Sequence, residues 1–213
     1  MNRVVDLAVV VPVRAFDMGK SRLAPSFTAD QRERLARAMA EIVVGVHSDT
    51  RQVARWFVVC DDDTIVEWAL SRGATPVRVS SSGLNPSLAE AASTIADVEA
   101  SHIVICHADL PLAGDLVAIV TSAIHDAPDS ILVSPDRHRD GSNVVVIPHH
   151  LFPRWEFRYG RESFHAHCAL ADELGASTVV IDDDRLATDI DTVDDLDLVR
   201  DFVRTTLPDW KPT

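Results

Sequence analysis

Positive charge is scarce in this sequence. Its 20 lysine and arginine residues face 33 aspartates and glutamates, for a formal charge of −13. That deficit argues against nonspecific binding to nucleic acid or to an anionic membrane surface, although a local basic cluster can still hold a nucleotide. Much of the acid reads as solvated surface. Cysteine is scarce too: Cys60, Cys106 and Cys168 are odd in number, far apart and without metal-ligand spacing. They suit a reducing cytoplasm, with Cys60 and Cys106 as buried thiols at strand ends. No apolar run approaches a membrane span, and the N-terminal Met-Asn-Arg-Val-Val-Asp lacks a signal-peptide plan. Internal repeats, linkers and low-complexity tracts are missing. What is present is a chain of 213 residues, 46% hydrophobic, which predicts one α/β domain over 1–213 with a sizeable core.

The chain is organised around Ile103–Pro111, Ile-Val-Ile-Cys-His-Ala-Asp-Leu-Pro. Residues 103–106 read as a buried strand, and Pro111 stops it from continuing. Asp109 stands past the carboxyl end of that strand, the edge where open α/β sheets bind ligands. A carboxylate there holds a divalent cation, and through it a polyphosphate, or it caps the next helix. Leu7–Val13 predicts a central parallel strand ending near Val11. Its exit, residues 12–23, carries Arg14, Lys20 and Arg22. Gly19-Lys20-Ser21 mimics the tail of a phosphate loop, but Arg14 stands where the full pattern wants glycine, so this is not a Walker-type loop. We read it as a polyphosphate grip rather than a solvated basic loop, because charge is concentrated there in an otherwise acidic chain.

Thr28-Ala-Asp-Gln31 is a capping box, opening a helix to about Ser48. Trp56–Cys60 is the second strand and runs into Asp61-Asp62-Asp63. Asp61 there touches a ribose or base, or caps the helix from about Thr64. Pro76–Val79 is a short third strand. A flexible loop follows, with Asn85 as N-cap and Pro86 opening a helix. Leu84 and Asn85 lie where a base can be read; the bland reading is capping alone. Residues 131–134 and 143–147 are strands joined by a polar loop without a helix, which predicts an antiparallel or edge pairing. Gly160 and Ser163 precede a helix and suggest an anion pocket at its N-terminus. His165 and His167, two positions apart on that helix, point to nearly opposite faces and make a poor metal pair. After a last strand at 178–181, Asp189 and Asp191 alternate in an extended segment and share a side. They either meet Asp109 across a metal or cap the acidic helix predicted over 193–205. Residues 206–213 read as a frayed tail.

Several of these stretches together resemble one family. Pro12-Val-Arg14 with Gly19-Lys-Ser-Arg-Leu23 is similar to its N-terminal signature, Pro-x-Lys followed by Ala-Lys-Ser-Arg-Leu. His107-Ala-Asp-Leu-Pro111 is similar to His-x-Asp-Leu-Pro. Asp136–Asn143 is similar to Asp-x-x-x-x-Gly-Thr-Asn. Tyr159-Gly160 with Ser163-Phe164 and His167, then Asp189-Ile-Asp-Thr192, complete the set. The family is the 2-phospho-L-lactate or phosphoenolpyruvate guanylyltransferases of deazaflavin coenzyme F-420 biosynthesis, and the matches run from residue 9 to 197. Arg14 for lysine and Ser142 for threonine depart from its pattern but keep the chemistry type.

The resemblance implies a three-layer nucleotidyltransferase fold of the glycosyltransferase-A-like type, with a mixed, mostly parallel sheet and helices on both faces. It implies GTP, Mg2+ and a three-carbon phospho-acid as partners, and a downstream deazaflavin transferase as consumer of the product. On this reading Pro12, Val13, Arg14, Lys20, Asp61, Leu84 and Asn85 bind the nucleotide. Asp109, Asp189 and Asp191 hold metal; Lys20, Arg14, Arg22 and Asp109 carry catalysis; Ser142, Gly160 and Ser163 match the acid-binding positions. The competing readings are another transferase of the same fold, of molybdenum-cofactor or sugar-nucleotide type, and a catalytically inactive nucleotide-binding module.

Overall fold

The computed structural model describes residues 5–45 and 53–210. Leu7–Pro12 forms β1, and its unbroken apolar run is buried on both sheet faces. Leu7, Val9 and Val11 enter one core layer, while Ala8 and Val10 enter the other. The strands β2 (Ala54–Cys60), β3 (Thr75–Arg78), β4 (His102–Cys106), β5 (Ile131–Pro135), β6 (Ser142–Pro148) and β7 (Thr178–Val180) complete a seven-stranded sheet of order β3-β2-β1-β4-β6-β5-β7. The pairs β1–β2, β1–β4, β2–β3 and β5–β7 are parallel; β6 runs antiparallel to both β4 and β5. The helix-free polar loop before β6 makes that reversal, as its composition predicts.

The first layer packs α1 (Ala29–Val43), α2 (Asp63–Ser71), α4 (Leu116–Asp126) and α6 (Asp184–Ala187) against one sheet face. The second packs α3 (Leu84–Ala96) and α5 (Ser163–Glu173) against the other. The expected capping box starts α1: Thr28 Oγ1 accepts from the Gln31 N–H, and Gln31 Oε1 accepts from the Thr28 N–H. The predicted end of this helix near Ser48 lies outside the described residues. Because α1 and α3 leave opposite faces, the crevice between the carboxyl ends of β1 and β4 is a topological switch point, where ligands bind in open α/β sheets.

Three expectations change. The α3 cap is Gly83, at φ 95°, and Asn85 stands inside the helix. The segment 193–205 is a tight 3-10 stretch, Asp194–Val199, before α7 (Arg200–Thr206). Here the Asp195 carboxylate accepts from the Asp191 N–H (2.9 Å) and Thr192 N–H (2.7 Å), drawing the turn back onto the preceding segment. The tail is packed as far as it is described: Leu207 is buried with Met39 and Leu35 of α1, and the Trp210 ring stacks on Phe27 at 5.0 Å. Two prolines suggest fraying, but apolar side chains at 207 and 210 cover the outer side of α1.

Candidate active site

The exits of β1, β2, β3 and β4 open into a cavity of about 430 Å³, within the size range of small-ligand sites. Pro12, Val13, Arg14, Lys20, Arg22, Asp61, Leu84, Asp109 and Asp191 all line it. Thus the sheet edge gathers most of the sequence-predicted nucleotide residues. Asn85 is the exception. Its Nδ2 donates to the Tyr159 carbonyl and its Oδ1 accepts from the Tyr159 N–H, both at 2.8 Å. Both ends of that amide are engaged by the Tyr159 backbone; it clamps α3 to the segment before α5 and is absent from the residues lining the cavity.

Charge is concentrated where the 12–23 loop crosses β4. Two single 3-10 turns, Phe16–Met18 and Ser21–Leu23, fold the loop, with Lys20 between them in the left-handed region at φ 53°. Lys20 Nζ donates to Asp109 Oδ2 at 2.6 Å and to Asp191 Oδ1 at 3.2 Å. Arg22 Nη1 donates to Asp191 Oδ2 at 3.1 Å. Arg14 stands exposed at the rim. The basic loop and the aspartates are therefore one ion-paired group. Asp109 serves Lys20 rather than capping the next helix. Burial opposes charge on Lys20, but Asp109 and Asp191 outweigh it and raise its pKa. Burial likewise opposes the Asp109 carboxylate, and the charge and hydrogen bond of Lys20 outweigh it, lowering its pKa.

Asp191 lines the cavity, and Asp189 does not but lies near enough to feel the charges of Asp109 and Asp191; Ile190 between them is buried in the core. The Ile190 N–H meets the Asp109 carbonyl at 3.4 Å, which draws the segment to the β4 exit. Burial, then the charges of Asp109 and Asp191, push the Asp189 carboxyl up to about 6. Among the described residues, no three carboxylates or imidazoles are grouped as a ready-made metal site. Even so, Asp109 Oδ1 is buried without a hydrogen-bond partner. An orphaned carboxylate oxygen beside a carboxyl held partly neutral by its neighbours is a donor set that a divalent cation fits.

The predicted acid-binding residues are assembled but closed. Ser142 and Ser163 are 1% and 2% exposed. The Ser142 N–H donates to Ser163 Oγ at 3.0 Å, and Ser142 Oγ meets His167 Nδ1 at 2.9 Å. Amides at the start of α5 are already taken: the Phe164 N–H by the Asp140 carbonyl (3.0 Å), the Ser163 N–H by the Gly160 carbonyl (3.2 Å) and the Glu162 N–H by Asp140 Oδ1 (3.2 Å). This corrects the open anion pocket expected there. Gly160 itself is exposed, at φ 132°, a conformation that side chains disfavour.

Sequence reading missed four contributors. Asp136 folds the loop before β6 by accepting from the N–H groups of His138, Asp140 and Gly141; a Cβ on Gly141 would lie 2.9 Å from its Oδ2. The spacing of Asp136 and Gly141 thereby acquires a structural reason. Asp195 organises the segment that carries Asp189 and Asp191, through the Asp191 and Thr192 N–H groups, and is also paired with Arg137. His107 lines the cavity, and its ring lies 5.1 Å from that of Tyr159; His107 Nε2 and the Tyr159 hydroxyl are buried without hydrogen-bond partners among the described residues. Burial, foremost, lowers the His107 pKa and keeps the ring neutral. Both stand inside stretches that match the family's motifs, His107–Pro111 and Tyr159-Gly160, without a role assigned to either from sequence.

Known proteins resemble this chain in fold and in sequence. The solved structure of a nucleotide-diphospho-sugar transferase from Desulfovibrio desulfuricans superposes with a TM-score of 0.68 at 14% identity, over 92% of this chain and 86% of that one. A nucleotidyl transferase from Methanothermobacter thermautotrophicus gives a TM-score of 0.61 at 16% identity, over 94% and 99%. These likenesses establish the nucleotidyltransferase fold. A protein of Roseiflexus castenholzii named phosphoenolpyruvate guanylyltransferase is 33% identical over 90% of this chain and 86% of its own. A Methanothermobacter thermautotrophicus protein named 2-phospho-L-lactate guanylyltransferase is 30% identical over 88% and 81%. The family model described as "Guanylyl transferase CofC like" matches residues 7–200, and the chain belongs to that family.

Proposed function

We propose that this protein transfers GMP from GTP to the phosphate of a three-carbon phospho-acid, phosphoenolpyruvate or 2-phospho-L-lactate, and releases pyrophosphate. The step belongs to coenzyme F-420 biosynthesis, takes place in the cytoplasm, and hands its product to a deazaflavin transferase. The names of the two relatives support the choice of donor and acceptor. The observation that carries it is the Lys20–Asp109–Asp191 group at the β1–β4 crevice, opening onto a nucleotide-sized cavity.

The chemistry follows from charge. An acceptor phosphate oxygen forms a bond to the α-phosphorus of GTP. The bond to the β-phosphate bridging oxygen breaks, and its electron pair leaves on pyrophosphate. The attacking oxygen is already anionic near neutral pH, so no general base is required. The barrier is the approach of anion to anion. Lys20, Arg14 and Arg22 neutralise the leaving pyrophosphate. Val13, Asp61 and Leu84 seat the nucleoside. Ser142, Gly160 and Ser163 seat the acid, for which the closed Ser142–Ser163 contact opens beside exposed Gly160. Asp109, Asp189 and Asp191 would hold Mg2+, which when bound supplies a Lewis acid against phosphate charge.

Pyrophosphate release tests this directly, with GTP and phosphoenolpyruvate, 2-phospho-L-lactate or 3-phosphoglycerate in turn. Release is expected with at least one acid and not with GTP alone. GTP binding without release under any acid would make the chain an inactive nucleotide module.

A further inference from the structure

His167 is fully buried on α5, away from the charged group. Its ring stacks on Trp155 at 5.5 Å and meets Tyr159 edge-on at 4.7 Å. Its Nε2 lies 3.3 Å from the Arg158 backbone N–H. A backbone N–H can only donate, so Nε2 is the acceptor and carries no proton. Burial, with His107 and Arg158 nearby, brings the His167 pKa down to about 4, so the ring is neutral at pH 7. A neutral ring with a bare Nε2 carries its hydrogen on Nδ1, and Nδ1–H therefore donates to Ser142 Oγ at 2.9 Å.

That fixes the direction of the serine hydroxyl. Ser142 Oγ receives a hydrogen from His167, so its own hydrogen must go elsewhere, and no acceptor for it is found among the described residues. Ser163 repeats the arrangement: its Oγ receives the Ser142 N–H, and its own hydrogen has no protein acceptor among the described residues. Two nearly water-free hydroxyls thus each accept one hydrogen bond and keep a free donor hydrogen. An anion is the ligand such a pair suits.

We infer that His167 is a positioning residue for the acceptor acid: its Nδ1–H tautomer leaves the Ser142 hydroxyl hydrogen free as a donor to the acid's carboxylate or phosphate. The inference rests on the acceptor reading given under Proposed function. It adds that discrimination for the acid lies in a buried, neutral relay that never touches GTP.

The test uses the full chain. His167→Leu removes the donor and keeps apolar bulk; His167→Asn keeps a donor close to the Nδ1 position. His167→Leu and Ser142→Ala should each raise the KM for phosphoenolpyruvate about 10- to 100-fold, as loss of a hydrogen bond to a charged group does. The GTP KM should stay within about twofold, and the double variant should be no worse than either single one. His167→Asn should recover most of the loss. An unchanged acceptor KM, an equal rise in the GTP KM, or multiplicative losses in the double variant would overturn the inference. Should His167→Leu fail to fold, Ser142→Ala and His167→Asn decide by the same criteria. A readout independent of turnover separates the inference from the functional reading. In 15N imidazole spectra at pH 7, His167 should show the Nδ1–H tautomer and shift on adding phosphoenolpyruvate alone. An Nε2–H tautomer, or no shift, contradicts it, whereas wild-type protein inert toward GTP with every acid contradicts the function.

Discussion

The two ends of the β4 exit are built on opposite principles. On the β1 side, the 12–23 loop and the aspartates form an open group of full charges, with Arg22 and Asp191 substantially exposed. On the β6 side, Ser142, Ser163 and His167 are neutral, buried and fixed in direction by one another. In the proposed reaction the first side would meet a polyphosphate, and a group of full charges suits that. The other has to recognise a small acid, and preset hydrogen bonds suit that, because a mismatched ligand leaves a buried group unpaired. Asn85 joins the halves through its paired hydrogen bonds to Tyr159.

The comparison is broken most forcefully at Asp109. Asp109→Asn keeps shape but removes a charge, and we expect turnover to fall at least about 100-fold with unchanged circular dichroism. Wild-type turnover with wild-type magnesium dependence would remove Asp109 from the metal set. Lys20→Ala comes next: a loss of about 30-fold in turnover together with a higher GTP KM, since Asp109 and Asp191 lose their shared cation. Lys20→Arg should restore only part, because a planar fork does not replace a point charge.

The buried side should show itself in pH dependence of stability. The folded-state pKa of His167 is lowered to about 4, against about 6.5 for an unfolded histidine. Below pH 6.5 the unfolded chain therefore takes up a proton that the folded chain refuses. Stability is full above that pH and falls as pH drops toward 4, by about 2 kcal/mol at pH 5 from this residue. Denaturant titrations of wild type and His167→Asn at pH 7 and pH 5 isolate it; equal pH slopes would mean that the ring is not held neutral. The smallest expected effect is Ser163→Ala, about a tenfold weakening of acceptor use, with GTP affinity by calorimetry unchanged. Weakened GTP binding instead would assign this pocket to the nucleotide.

How far the sequence carries the argument differs between the same two regions. The charged side was legible because its signals are local. A strand buried on both faces reads as an apolar run, and Asp109 and Lys20 stand in the loops that leave β4 and β1, beside Pro111 and beyond Pro12. The pairings of the neutral side were not legible, because hydroxyls, an amide and a neutral ring carry no charge sign that says which partner they seek, whereas Lys20 and Asp109 attract across 89 positions. Ser142 meets His167 across 25 positions, and Asn85 meets Tyr159 across 74. Helical spacing rightly set His165 and His167 on different faces, yet it carries no information on which hydroxyl the buried ring would meet. The tail was misread for a related reason: proline content speaks to backbone, while Leu207 and Trp210 find partners on a helix far back in the chain.

The central claim is that the β1–β4 crevice transfers guanylyl groups. It is tested most directly by measuring acid-dependent pyrophosphate release with GTP, CTP, UTP and ATP under identical magnesium and phospho-acid concentrations. The account predicts turnover with GTP well above the other three, and none without acid. Preference for CTP or UTP, or release that ignores the acid, would contradict it.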